Sequence, residues 1–277
     1  MAHHHFRIHK SHGGFERFSK RKLYSSLKRS GLSHQQSQII TDKVSAQIRE
    51  GSETKDIFHR AFQLVKRDSP EAAVHYSLKR AILELGPTGH YFESYVAKYF
   101  QQSGYSARAR QSFAGRWVKH EVDVVAVKNK LRYFAECKFH NRVGIKNDIK
   151  TALYVKARWD DLREGSEGKN LAGFFLVSNT AFTSDALTYA QGTGLRLLGV
   201  NAPIEKSFLD QVKEMHLYPI TSLKRLSKNM IKELLNRDVI LAQELLDNGK
   251  LLLKLGLPEN DIENLFKEIQ SLTRITT

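Results

Sequence analysis

The stretch from residue 121 to residue 138 constrains this chain more than any other. Two β-runs, Glu121-Val122-Asp123-Val124-Val125-Ala126-Val127 and Leu131–Lys138, are separated only by Lys128-Asn129-Lys130. So short a link between Val-rich and aromatic runs requires a tight antiparallel hairpin. Before it, Phe92, Val96, Tyr99 and Phe100 fall at helical spacing over 91–102, and Gly104 marks the end of that helix. After it come a helix over about 148–162, a buried strand over 173–178, a helix over 184–190 and a short strand over 195–199. Helix, hairpin, helix, strand, helix, strand is the order of an α/β core.

The hairpin carries Asp123, Glu136 and Lys138 inside runs that disfavour them. Asp and Glu are poor strand residues, and local violations of this kind tend to mark sites. Residues two apart in a strand share a face, so Glu136 and Lys138 point one way and Cys137 the other. Pairing of the hairpin brings Asp123 across from them. Two converging carboxylates offer hard oxygen ligands to Mg²⁺ or Mn²⁺, and a neighbouring lysine can position or help deprotonate an attacking water. Spacing alone leaves open a hairpin whose polar face is simply wet.

Charge narrows the partner. A formal net charge of +15 on 277 residues, with a pI near 9.8, favours a polyanion, because each neutralised phosphate releases condensed counterions. No apolar run approaches the ~20 residues of a membrane helix. A lone cysteine, Cys137, excludes an internal disulfide framework and suits a reducing, cytoplasmic setting. The opening Met1-Ala2 and His3, His4 and His5 lack a signal-peptide core and read as tag residue, outside the site argument.

Gly86-Pro87-Thr88-Gly89 and Pro203 punctuate the chain into segments 6–86, 87–204 and 205–277. In the middle segment, Asp123 followed after a hairpin by Glu136-Cys137-Lys138 resembles the PD-(D/E)XK nuclease motif. Phe92-Glu93 on the preceding helix, Gly104-Tyr105 and Ala135-Glu136-Cys137-Lys138 are similar to the Mrr-like restriction endonuclease branch over about residues 88–202. The resemblance implies that Glu93 completes a metal site with Asp123 and Glu136. Val122 stands where the family's name has proline. Glu121 could assist Asp123, and His140 and Asn141 could contact phosphate or orient water. Lys146, Lys150, Lys156 and Arg158 could line a phosphate track, though such a charge run is more often a solvated face, and Tyr154 and Trp159 read as core more than as base-stacking platforms.

The first segment opens with Ile8-His9-Lys10, turns through Gly13-Gly14, and enters a basic helix for which Ser19 is the N-cap. Tyr24, Leu27, Ile39, Ile40, Val44 and Ile48 continue at helical spacing, with later starts at Thr54 and at Asp68-Ser69-Pro70. A glycine turn beside a helix N-terminus can cradle phosphate. Lys10, Gly13, Glu16, Phe18, Lys22-Leu23, Thr54 before Asp56-Ile57, Arg67-Asp68-Ser69-Pro70 and Tyr76 together resemble the ATP-cone, a regulatory nucleotide-binding domain. That resemblance implies ATP or dATP, with Lys10 and Lys22 toward the phosphates and Glu16 and Thr54 near base or sugar. Ser11-His12 replaces the usual Arg-Asp, and Phe58 stands where histidine can occur.

The last segment shows Leu stripes at Leu226, Ile231, Leu234 and Leu235, then Leu241, Leu245 and Leu246, then Leu265 and Ile269. These fit core, a docking or dimerisation element, or a helix-hairpin-helix-like DNA contact around Leu245–Gly249. The fold class expected is therefore α/β multidomain: a mostly helical ATP-cone, a restriction-endonuclease-like α/β core and a C-terminal helical appendage. The function expected is a metal-dependent endonuclease acting on DNA and regulated by ATP or dATP, with homo-oligomerisation as one route of regulation. A non-catalytic nucleotide-sensing regulator that binds nucleic acid is the alternative.

Overall fold

The computed structural model describes residues 6–10, 13–142, 144–166 and 168–273; the His3–His5 run and Ser11-His12 lie outside the described residues. The chain divides into two compact units, one running to Arg80 and the other spanning Ala81–Thr273.

In the first unit, β1 (Arg7–His9) pairs antiparallel with β2 (Phe15–Arg17), Ile8 opposite Glu16. Gly13 and Gly14 make the turn at φ +90° and +84°, a region glycine enters without steric cost. Helices α1 (Lys20–Arg29), α2 (His34–Ser45), α3 (Thr54–Asp68) and α4 (Pro70–Leu83) follow. Ser19 caps α1 by accepting the Lys22 amide, as its sequence position predicts. Ile8 of the hairpin joins Leu23, Leu27, Ile40, Val44, Phe62 and Val65 in one core, and Phe58 stacks on Tyr76 at 5.1 Å.

The second unit begins with α5 (His90–Gln102) and then builds a mixed sheet from β3 (Ser106–Ala114), β4 (Lys119–Lys128), β5 (Leu131–Lys138), β7 (Leu171–Ser178) and β9 (Arg196–Leu198), in the order β3-β4-β5-β7-β9. The first three strands are antiparallel, whereas β5, β7 and β9 run parallel. Helix α6 (Ile149–Glu164) crosses from β5 to β7, and α7 (Ser184–Thr193) from β7 to β9. A parallel pair, β6 (Lys146–Asn147) with β8 (Ala181–Phe182), closes the ends of these crossovers. The β4–β5 turn is Asn129-Lys130, both at positive φ, the conformation a two-residue hairpin needs.

Both faces of the sheet are covered. Phe174 packs toward Trp159 of α6, while the next residue, Phe175, meets Phe100 of α5 at 5.1 Å, as alternation along a strand demands. Val125, Phe134, Val155, Leu162, Leu176 and Ala186 fill the α6–α7 side.

Two features depart from the sequence reading. Strand β3 was not anticipated, because its sequence, SARARQSFA, is poor in β-branched residues and reads as a loop. Residues 205–273, marked off in sequence as a separate helical segment, fall in the same compact unit as the sheet. Their helices are α8 (Phe208–Glu214), α9 (Lys228–Asn236), α10 (Gly249–Lys254) and α11 (Glu259–Thr273). Helix α5 holds them: Tyr95 donates to Leu217 O at 2.8 Å, Tyr99 to Gln211 Oε1 at 2.6 Å, and Lys98 pairs with Glu244 at 2.6 Å. In the Leu245–Gly249 stretch Leu245 is fully buried in the core of this unit, while Asp247 is exposed. Among the described residues no helix is long and apolar enough to cross a membrane.

Phe134, 1% exposed between Phe113 and Phe174, anchors the sheet. Phe134→Ala is expected to cost about 3–5 kcal/mol, read as a fall in the urea midpoint.

Candidate active site

The β4–β5 ladder runs from Lys128 opposite Leu131 to Val124 opposite Ala135. One residue further, where Asp123 and Glu136 would face each other, the bonding changes character. Asp123 Oδ2 accepts the Cys137 amide at 2.7 Å, so a side chain takes the proton that a strand carbonyl would otherwise take. On its other side β5 continues with β7, Glu136 opposite Leu176 and Lys138 opposite Ser178. The two strands thus part with a carboxylate from each at the opening.

A second irregularity lies on β3. Its register with β4 is the same at Ala109 opposite Val124 and at Gln111 opposite Val122, but Arg110 and Asp123 between them are left unpaired in the ladder. Arg110 sits at φ +53°, a left-handed conformation that costs a non-glycine residue roughly 1–2 kcal/mol. Val122 and Val125 of β4 both enter one core although they are three residues apart. The break sends the Arg110 guanidinium back to α5, within 3.4 Å of Glu93 Oε2, 3.3 Å of Ser94 Oγ and 3.2 Å of the His90 carbonyl.

Each acid is thereby answered by its own base. Glu136 pairs with Arg158 of α6, whose second nitrogen donates to the Glu121 carbonyl. Glu93 pairs with Arg110. Burial, then the Glu136 and Glu93 charges, push the Asp123 carboxyl well above the usual carboxylate range, against the Cys137 amide and Arg158. Burial also raises Glu136, with Arg158 and Lys138 opposing, and pushes the Cys137 thiol well up. The Glu136 and Glu93 carboxylates that raise Asp123 repel its charge at short range, an arrangement a divalent cation relieves. Among the described residues, however, no three Asp, Glu, His or Cys side chains close on a common point as a ligand set does. Asp123 and Glu136 fit two hard oxygen ligands; Glu93 is turned to Arg110 instead of joining them, which departs from the three-carboxylate expectation.

Lys138 is exposed and near enough to Glu136 to stabilise its charge. Just beyond it, His140 is fixed by its surroundings: its amide donates to Asn179 Oδ1 at 2.9 Å, its carbonyl accepts from Asn179 Nδ2 at 2.7 Å, and Nε2 lies 2.8 Å from Asn147 Oδ1. Asn147, 2% exposed, also donates to Ser178 and Thr180. Ser178 Oγ in turn donates to the Lys138 carbonyl at 2.8 Å, so a buried polar network sets the end of β5.

Comparison with known proteins agrees with this geometry. Residues 86–202 match the model of the restriction endonuclease family of Mrr catalytic type, and residues 218–273 match the AF1548-like C-terminal family. Over residues 86–202 the second unit is thus similar to the restriction endonuclease family. An uncharacterized protein of Archaeoglobus fulgidus is 29% identical over 155 residues, which cover 56% of this chain and 86% of that protein. The crystal structure of a protein of unknown function, AF1548, is similar with a TM-score of 0.56 and 26% identity, over 67% of this chain and 98% of the other.

Within residues 86–202, sequence reasoning missed the roles of Arg110 and Arg158. Arg110 gave no signal, since its role follows from a break in a strand that was itself unanticipated. Arg158 gave one: on a helix that buries Ala152, Val155, Trp159 and Leu162, position 158 borders the apolar stripe instead of facing water. Glu121, expected to assist Asp123, is exposed and contributes its carbonyl to Arg158.

The residues singled out in the first unit also gather. Lys10 and Lys22 both pair with Glu16, the first at 2.7 Å. These hydrogen bonds, Lys10 first, pull the Glu16 carboxyl down to about 2. Thr54 Oγ1 donates to the His9 carbonyl at 2.8 Å, beside Lys10. Gly13 spends its amide on the Lys10 carbonyl at 3.0 Å, so that proton is not offered to a phosphate as the sequence reading supposed. Glu16 lies between the lysines instead of standing apart toward a base or sugar.

Two measurements check these sites. Because glycine tolerates φ +53°, Arg110→Gly is expected to be about 1 kcal/mol more stable than Arg110→Ala in urea unfolding, though both lose the Glu93 contact. A depressed carboxyl stabilises above its unfolded pKa and ceases to as pH falls through the folded one. The melting-temperature gap between wild type and Glu16→Gln is therefore expected to be full above about pH 4.5 and to close toward pH 2.

Proposed function

We propose that this chain is a metal-dependent endonuclease that hydrolyses phosphodiester bonds in DNA, and that adenine nucleotides regulate it through the first unit. The observation that carries the catalytic part is the opening between β4 and β5, where Asp123 and Glu136 meet with Lys138 two residues on. The match of residues 86–202 to the restriction endonuclease family supports a nucleic-acid substrate, and the net charge of +15 agrees with it.

Mg²⁺ or Mn²⁺ held by Asp123 and Glu136, with waters completing its shell, would supply positive charge against the charge that develops on phosphorus. The chain's own groups do the rest. The Cys137 amide fixes one Asp123 oxygen, so that carboxylate is already oriented. Lys138 places an ammonium where it can hold the attacking water and counter developing negative charge. Glu93, as a third metal carboxylate, requires release from Arg110 first.

In the first unit, Lys10 and Lys22 suit the phosphates of ATP or dATP, with Glu16 as the internal anion that a phosphate displaces and Thr54 and the Gly13 turn beside them. This ATP-cone reading links nucleotide occupancy to cleavage through a change in domain arrangement or self-association. Arg158 on Glu136 favours one rival, a regulator that binds nucleic acid and senses nucleotide without cutting, because a carboxylate committed to a guanidinium is a poorer metal ligand.

Incubating plasmid and single-stranded DNA with the full chain, with and without Mg²⁺ and each adenine nucleotide, separates these readings. Metal-dependent cleavage should fall at least about a hundredfold in Glu136→Ala and in Lys138→Ala, with DNA binding retained. Binding without cleavage under all conditions would establish the regulator. Cleavage, mass and melting temperature that ignore ATP and dATP would remove the nucleotide link.

A further inference from the structure

The turn between β3 and β4 carries an exposure that hydrolysis leaves unused. Trp117 is 76% exposed, and Val118 beside it 58%. An indole at a loop tip is ordinarily loose, yet the backbone around this one is tied down. Gly115 N donates to Val118 O at 2.8 Å and closes the turn. The Asp161 carboxylate of α6 accepts the Trp117 amide at 2.9 Å and the Val118 amide at 3.4 Å, and lies 2.7 Å from His120 Nε2. The Arg116 amide donates to the Asp161 carbonyl at 2.9 Å. A Cβ on Gly115 would stand 1.9 Å from Asp161 Oδ2, and one on Gly165 2.4 Å from the Ala114 carbonyl, so no larger residue permits this approach of tip to helix. The Arg116 guanidinium lies 4.7 Å from the Trp117 ring centroid and is itself held by Glu164 at 2.7 Å. A cation backs one face of the indole, and the other is open to solvent.

We infer that Trp117 is a stacking platform for an unpaired nucleobase of the strand that the Asp123–Glu136 site handles, a role that rests on the nuclease reading above. Every base has a π-face, so an aromatic ring in a basic groove holds single strands without sequence preference. Paired bases spend their faces on one another, and the platform therefore selects unpaired ones. Lys119, two residues on, is an exposed cation suited to a phosphate beside such a base. Trp117 precedes Asp123 by six residues, at most about 20 Å of strand, or roughly six nucleotides at the rise of a stacked strand. Helix α6 joins the two places, since Asp161 holds the tip and Arg158 holds Glu136.

The test is a titration of the full chain in EDTA, where no cutting occurs, with oligothymidylate, oligouridylate and a blunt duplex. Tryptophan emission and the anisotropy of labelled strands are followed together. Stacking should quench the emission of wild type, and Trp117→Ala, with its melting temperature unchanged, should lose the quench and bind single strands about five- to hundredfold more weakly. Trp117→Phe should recover most of that affinity, while duplex binding changes less than about twofold. Equal single-strand affinity of wild type and Trp117→Ala overturns the platform, as does emission indifferent to a saturating strand. A dimer seen in sedimentation and abolished by Trp117→Ala also overturns it, because the ring would then face a second copy. Metal-dependent cleavage without any quench would sink the platform and leave the nuclease standing; quenching in a chain that cuts nothing would do the opposite.

Discussion

The hydrogen bond from the Cys137 amide to Asp123 Oδ2 is the contact on which the site depends. A hairpin ladder left to itself continues, carbonyl to amide, and buries its side chains in pairs. By accepting this proton, Asp123 ends the ladder with β4 at Val124 opposite Ala135, while the other edge of β5 stays paired with β7 as far as Lys138 opposite Ser178. Beyond Ala135 only the β7 edge of β5 stays paired, and Glu136 is the first residue of that stretch. The opening places two acids in half-buried surroundings that neither would occupy alone. Arg158 and Arg110 make that placement tolerable by pairing with Glu136 and Glu93.

Much of this was legible in the residues. The Asn129-Lys130 turn, the strands around it, the crossovers α6 and α7 and the buried strand β7 all follow from short links and from the change between two-residue and helical periodicity. Asp123, Glu136 and Lys138 stood out because acids interrupted a Val-rich hairpin, and they lie on the neighbouring strands β4 and β5. Lys10, Glu16 and Lys22 likewise share one place, across a glycine turn the sequence displayed openly.

What stayed hidden has a common cause. Ser106–Ala114 is a strand because β4 offers it an edge, and no local preference announces that. Arg110 acts through a backbone conformation that its own side chain disfavours, so nothing in its residue type could reveal it. The helices after residue 205 looked like an appendage because their Leu stripes name no partner. Tyr95 and Tyr99, which reach them, read merely as one face of α5. Residues 86–202 and 218–273 match two family models, yet both lie in one compact unit.

The two edges of the sheet carry a consequence of their own. Unpaired strand edges invite a second copy to add its own strand, the first step toward aggregation. Here β9 offers only Arg196–Leu198, too short to template a partner, and β3 presents Arg108 and Arg110 with a left-handed kink midway along its length. A visiting strand would meet the Arg108 guanidinium and then the left-handed backbone at Arg110. Whatever assembly this protein forms, growth of the sheet from molecule to molecule is blocked at both ends.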